Sequence, residues 1–188
     1  MIAYIIVYLL FFIIGITMGS FFTLATYRIP LKQDITHTRS YCPNCNHRLE
    51  FLDLIPVLSF IFLSGKCRYC KNKIGARYII MEILSGIIYV LLIYGLKIDF
   101  LKLSVYQIAR ITYISLMYAF CFIFIGILKE KKQISLEILY FGAIVQFIYI
   151  IYLYILKINI YRYIIYLFLI CILIAMGVII KNRSKHET

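Results

Sequence analysis

At 188 residues with 64% hydrophobic side chains and a mean hydropathy of +0.94, the chain carries more apolar surface than a soluble domain can bury. The solvent for most of it is therefore lipid. The formal net charge is +12, from 20 Lys and Arg against eight acids, and the cations fall between and after apolar runs. That placement is what membrane topology demands, and it excludes nucleic-acid binding as the meaning of the charge.

The stretch Met1 to Thr26 is apolar and has no charged side chain. It lacks the positive start and small-residue cleavage site of a secretory signal, so a retained membrane helix is expected. Counting runs long enough to cross about 30 Å of hydrocarbon predicts five spans. They are Ala3 to Tyr27, Tyr78 to Leu96, Ile111 to Leu128, Leu136 to Leu156 and Tyr163 to Ile180. The expected organisation is a first transmembrane helix over 1–27, a cysteine-rich loop over 28–77, a four-helix membrane region over 78–180 and a basic tail over 181–188. The shorter connections are Lys97 to Arg110, Lys129 to Ser135 and Lys157 to Arg162, and no tandem repeat is expected. The fold class is thus an all-α integral membrane protein of about five transmembrane helices with a small cytoplasmic zinc-ribbon-like loop.

Orientation follows from the cations. Nine lie between Arg28 and Arg77, three are Lys129, Lys131 and Lys132, and three more are Lys181, Arg183 and Lys185. On the alternate side are five: Lys97, Lys102, Arg110, Lys157 and Arg162. Fifteen against five predicts a cytoplasmic loop and C-terminus with the N-terminus outside. Within the loop, the 13 mostly apolar residues Phe51 to Leu63 are too few to span, and Pro56 interrupts them. An interfacial or re-entrant segment is expected there.

Cys42/Cys45 and Cys67/Cys70 form two Cys-x-x-Cys pairs separated by 21 residues, just beyond the roughly 15 to 20 common in zinc sites. Each pair sets two thiolates on one turn, and two turns can close a tetrahedron around Zn²⁺. Pro43, Asn44 and Gly65 suit such turns. Lys66, Arg68, Lys71 and Lys73 would offset the thiolate charge and lower the thiol pKa values. A reducing cytoplasm argues against disulfides. The alternatives are a redox-active pair, unliganded thiols, or His47 in place of one sulfur. Four protein ligands would make the metal structural. Cys121 and Cys171, inside predicted spans, are expected to act as small apolar core residues.

The loop and its flanks resemble the N-terminal region of the bacterial type IV prepilin peptidases, the bifunctional leader peptidase and N-methyltransferase family. The resemblance runs from Gly19-Ser20-Phe21-Phe22-Thr23-Leu24-Ala25-Thr26-Tyr27-Arg28-Ile29-Pro30, through Ser40-Tyr41-Cys42-Pro43-Asn44-Cys45, to Leu49 and Asp53-Leu54-Ile55-Pro56-Val57-Leu58-Ser59-Phe60. It continues in Gly65-Lys66-Cys67-Arg68-Tyr69-Cys70, Ile74, Arg77-Tyr78 and Glu82-Ile83-Leu84-Ser85-Gly86. Thr23 stands where that family usually has Asn. The resemblance implies a multi-pass protein of the bacterial cytoplasmic membrane that handles type IV prepilin or pseudopilin precursors. It also implies leader cleavage by an aspartate pair and N-methylation with S-adenosylmethionine as donor. No glycine-rich nucleotide loop gives that donor a site of its own.

Cleavage by an aspartic peptidase needs two carboxyls sharing one proton. The only aspartates are Asp34, Asp53 and Asp99, and no Gly-x-Gly-Asp occurs. The half that carries cleavage in the family is short and divergent here. No catalytic residue is identified, and peptidase activity is not expected. Glu130, in a lysine cluster, reads as part of a solvated loop. Glu137, just after Ser135, reads as an acid matched to a helix start. Glu82, about four residues inside the second span, is the candidate functional acid. Its alternative is a carboxylate reaching the interface beside Arg77. Ser85 and Gly86 share its face and would allow close helix approach. Three roles follow: a processing protein that binds and methylates without cutting, a non-catalytic membrane adaptor for prepilins or a full-length prepilin peptidase, or a degenerate family member.

Overall fold

In the computed structural model, residues 2–98, 100, 103–131 and 135–186 are described; Asp99, Lys102 and Lys132 lie outside them. The chain divides into two compact units, Met1–Leu103 and Ser104–Thr188. Among the described residues there are helices, turns and two isolated antiparallel bridges, with no strand.

The first unit is built on α1 (Ile2–Arg28) and α3 (Arg77–Gly95), with the short α2 (Leu58–Phe62) in the loop between them. In hydrocarbon, a helix must satisfy its polar groups internally. Accordingly the hydroxyls of Thr17, Thr23 and Thr26 donate to the carbonyls of Ile13 (2.6 Å), Gly19 (2.8 Å) and Phe22 (2.8 Å), four residues back. The two long helices meet through small residues. A Cβ added at Gly15 would stand 2.8 Å from Gly86 Cα, and one at Gly19 would stand 2.6 Å from Ser85 Cβ. As α1 advances from Gly15 to Gly19, its contacts on α3 retreat from Tyr89 to Glu82, so the pair is antiparallel. The expected closeness at Ser85 and Gly86 is present, and its other half is a Gly15-x-x-x-Gly19 pattern that the sequence reading passed over.

The second unit consists of α4 (Val105–Lys131), α5 (Leu136–Ile155) and α6 (Tyr161–His186), with α5 packed on both others. Gly142 of α5 lies against the Phe120 ring of α4. Nearby, the fully buried Gln146 accepts a hydrogen bond from the Tyr113 hydroxyl (2.6 Å) and donates to the Tyr163 carbonyl (2.8 Å). Tyr149 stacks on Tyr113 with ring centroids 3.9 Å apart.

Several boundaries differ from expectation. The connection read as Lys97 to Arg110 already turns helical at Val105. Ser104 and Gln107 form a reciprocal cap there, Gln107 N–H to Ser104 Oγ at 3.2 Å and Ser104 N–H to Gln107 Oε1 at 3.0 Å. At its far end α4 runs to Lys131, so Glu130 is half-buried in a helix and not in a solvated loop. Helix α6 continues past Ile180 to His186.

Among the described residues, five helices are long and apolar enough to cross a membrane. Only 11% of the Tyr161–Ile180 window and 33% of the Leu136–Ile155 window is buried within the protein, so the remaining apolar surface requires lipid. The molecule is a multi-pass membrane protein. Replacing Gly19 by Leu should overpack the α1–α3 contact at a cost of about 1–3 kcal/mol. It should lower the melting temperature in detergent, whereas Gly75→Ala, with nothing within 4 Å of the new Cβ, should leave it unchanged.

Candidate metal centre

Between Lys32 and Ala76 the only buried residues are Cys42 and Cys67. The loop therefore has no hydrophobic core, and its order comes from specific polar ties and from the four sulfurs. The two cysteine turns are the same structure twice, 25 residues apart. The Cys42 N–H donates to the His47 carbonyl and the Asn46 N–H to the Cys42 carbonyl, at 2.9 and 2.8 Å. Cys67 repeats this with Asn72 and Lys71, at 2.9 and 3.1 Å. The bridges Tyr41–Arg48 and Lys66–Lys73 occupy matching places. So do the left-handed residues Asn46 (φ 55°) and Lys71 (φ 60°). No tandem repeat is visible in the sequence because each copy is about ten residues long and shares little beyond its cysteines.

The two turns bring all four Sγ atoms within 4.8 Å of one another, with Cys42 and Cys70 at 3.9 Å. A tetrahedron with 2.3 Å Zn–S bonds has edges of about 3.8 Å. The four cysteines can therefore hold a metal ion such as zinc with small adjustments. His47 is not among them: its ring lies tilted against Tyr69 with centroids 3.5 Å apart.

The source of thiolate stabilisation differs from expectation. Backbone amides, not lysines, supply it. The N–H groups of Cys45 and Asn44 draw the Cys42 thiol below its ordinary pKa. The Asn72 N–H and the Asn44 side chain, whose Nδ2 is 3.7 Å from the sulfur, take Cys70 down to about 6. At Cys45 the His47 N–H also lowers the pKa, but desolvation and the neighbouring sulfurs win and push it up to about 11. Once some sulfurs ionise, the last thiol resists, which is what a bound cation would relieve.

Polar ties fix the loop around this cluster. The buried Arg28 guanidinium at the end of α1 donates to the carbonyls of Asp34 (2.9 Å) and Thr38 (2.8 Å). Asp34 accepts the N–H groups of Thr36 (2.8 Å) and His37 (3.1 Å) in a local turn, and these hold its carboxyl at about 2. Asp53, whose side chain is 4% exposed, accepts from Arg68 Nε (2.6 Å), the Glu50 N–H (3.2 Å) and Tyr69 OH (3.3 Å). Burial works to raise the Asp53 carboxyl, and the Arg68 guanidinium overrides it and carries it below the usual range.

Glu82 is buried, and its Oε2 accepts the Val57 N–H at 2.8 Å. Val57 has φ 62° and ψ −52°, and the Leu58 N–H closes back on the Pro56 carbonyl at 2.6 Å. This is a γ-turn, an unusual conformation for a β-branched residue. Glu82 thus neither reaches outward to solvent nor pairs with a second acid among the described residues. It pins the loop to α3. Glu137 lies in the first turn of α5 as expected, although the Ser135 side chain makes no capping bond. Cys121 and Cys171 are exposed on their helices, not in a core. A small apolar side chain is as well accommodated by lipid as by packing.

Residues 13–96 match the family model of the bacterial peptidase A24 N-terminal domain. A prepilin leader peptidase/N-methyltransferase of Vibrio cholerae serotype O1 is 39% identical over 99 residues, covering 48% of this chain and 39% of that protein. Proteins of the same description from Myxococcus xanthus and Bacillus subtilis are 40% and 41% identical over 78 residues. Each covers 42% of this chain, and the matches span 23% and 32% of those relatives. No solved structure matches. The resemblance to the type IV prepilin peptidase family is thus shown over the N-terminal region, and the chain spans well under half the length of these relatives.

Detergent-purified protein should contain about one zinc per chain by elemental analysis, and Cys42→Ser with Cys67→Ser should abolish it. Binding requires the thiols to lose their protons, so zinc affinity should weaken as pH falls and strengthen as it rises. Chelator competition at a series of pH values reads this directly.

Proposed function

We propose that this is a membrane protein acting in the processing of type IV prepilin or pseudopilin precursors, binding them without supplying the carboxyls that cut the leader. The similarity of residues 13–96 to prepilin leader peptidases supports the first part. The second part rests on one observation: Asp34, Asp53 and Glu82 each already accept hydrogen bonds that hold the chain. Asp53 accepts from Arg68, Asp34 from the backbone of its own turn, and Glu82 from the Val57 N–H. A proton-sharing pair requires two carboxyls side by side with one proton between them. None of these three is arranged that way.

In this reading Cys42, Cys45, Cys67 and Cys70 bind one structural zinc, closed to substrate by its four protein ligands. It would supply the cross-link that a coreless loop lacks. In the same reading the loop and the C-terminus lie in the cytoplasm and the N-terminus outside, which the excess of cations supports. Methylation with S-adenosylmethionine rests on the resemblance alone. An adaptor for a full-length prepilin peptidase is a second reading, favoured by the same hydrogen-bonded carboxyls.

Co-expression with a candidate prepilin, followed by mass measurement of the pilin N-terminus, tests the proposal. The precursor should co-purify with its leader intact; release of the leader by the purified protein would overturn it, and added methyl mass would identify a transferase. Orientation has its own test. A fluorescent-protein fusion after Asn72 should fluoresce, and an alkaline phosphatase fusion after Asn159 should be active.

A further inference from the structure

We propose that residues 51–63 form a lipid-binding surface lying in the headgroup layer, clamped to α3 by Glu82, which sets the cysteine turns against the bilayer. The segment is too short to cross and carries a large exposed apolar surface. Phe51 and Phe62 are each 81% exposed, and Leu52, Leu58 and Ile61 are 59%, 49% and 58% exposed. Leu58, Ile61 and Phe62 stand at i, i+3 and i+4, so they share one face of α2. The opposite side belongs to the loop. Asp53 turns inward to Arg68, and the Phe60 ring lies where a Cβ on Gly65 (φ 67°) would come within 2.9 Å of it.

The Glu82–Val57 bond says what covers the exposed face. Glu82 is five residues past Arg77, the first residue of α3, so its backbone lies about 7.5 Å along the helix axis from the start and Val57 is held within one side chain's reach of that level. Helices that lie flat in a membrane surface bury their apolar face to about 5–10 Å. Val57 is thus held near the end of a membrane-length helix, the level at which headgroups meet acyl chains when that helix spans. The exposed residues of α3 near this level, Tyr78 (53%) and Ile80 (59%), belong to the same lipid-facing helix, so the patch continues a surface already in lipid. The backbone is also prepared for low water. The amides of Ser59, Ile61, Leu63 and Gly65 all find carbonyls within the segment, at 2.8–3.1 Å. Lys66, Lys71 and Lys73 beside it are exposed and complement anionic headgroups.

The inference rests on the membrane reading and is independent of any action on prepilins. The chain has no Trp, so Phe62→Trp creates a single fluorescent reporter at a highly exposed site, with Phe51→Trp as a second. In proteoliposomes, each should emit to the blue of an aqueous tryptophan and be quenched most by lipids brominated high on the acyl chain. Adding Glu82→Ala should abolish most of that quenching, while Glu82→Gln, which keeps an acceptor oxygen, should preserve it. Retained zinc would show that each variant is folded. Water-like, unquenched emission would overturn the proposal. So would strongest quenching by bromines near the acyl terminus, which would mean a re-entrant segment. A blue shift that needs an added prepilin peptide would overturn it in favour of a peptide groove, and quenching indifferent to Glu82→Ala would overturn the clamp.

Discussion

At Gly15 and Gly19 the backbone of α1 comes so close to Ser85 and Gly86 of α3 that no Cβ fits between them. Lipid offers no hydrophobic drive for two apolar helices to associate, so close backbone packing has to supply it. The cysteine loop leaves from the end of one of these helices and returns at the start of the other. Holding the pair together therefore holds the two ends of the loop together. Arg28 at the exit and Glu82 near the return then bind loop backbone directly, through carbonyls and an amide respectively.

Given those fixed ends, the loop needs little apolar material. Two copies of one short turn face each other, and the buried surface between them consists of Cys42 and Cys67. Backbone amides aimed at Cys42 and Cys70 favour their thiolates before any ion arrives. Carboxylates in the loop and on α3 are used in the same economical way. Asp34, Asp53 and Glu82 each accept hydrogen bonds that shape the chain. Glu82, the one candidate functional acid of the sequence, is among them.

Much of the fold was legible because a bilayer imposes length and polarity on every span. The five membrane helices, the cysteine cluster and the small residues at Ser85 and Gly86 all follow from that constraint or from ligand spacing. Other features were written in the sequence and missed. Gly15-x-x-x-Gly19 marks the helix contact, and Ser104-x-x-Gln107 marks the start of α4. The reading of Cys121 and Cys171 as core residues went wrong because lipid and protein interiors reward the same side chains, so burial cannot be told from composition.

Hydropathy, cation placement and paired cysteines thus determined a multi-pass chain with a sulfur cluster in one polar loop. These are local properties, readable from spacing along the chain. Only the tertiary structure decided that the cysteine turns are duplicates, that Asp53 answers Arg68 and that Glu82 holds Val57. Each of those facts joins residues 15 to 25 positions apart. A carboxylate's role depends on which donor the fold brings to it, and no one-dimensional pattern specifies that donor.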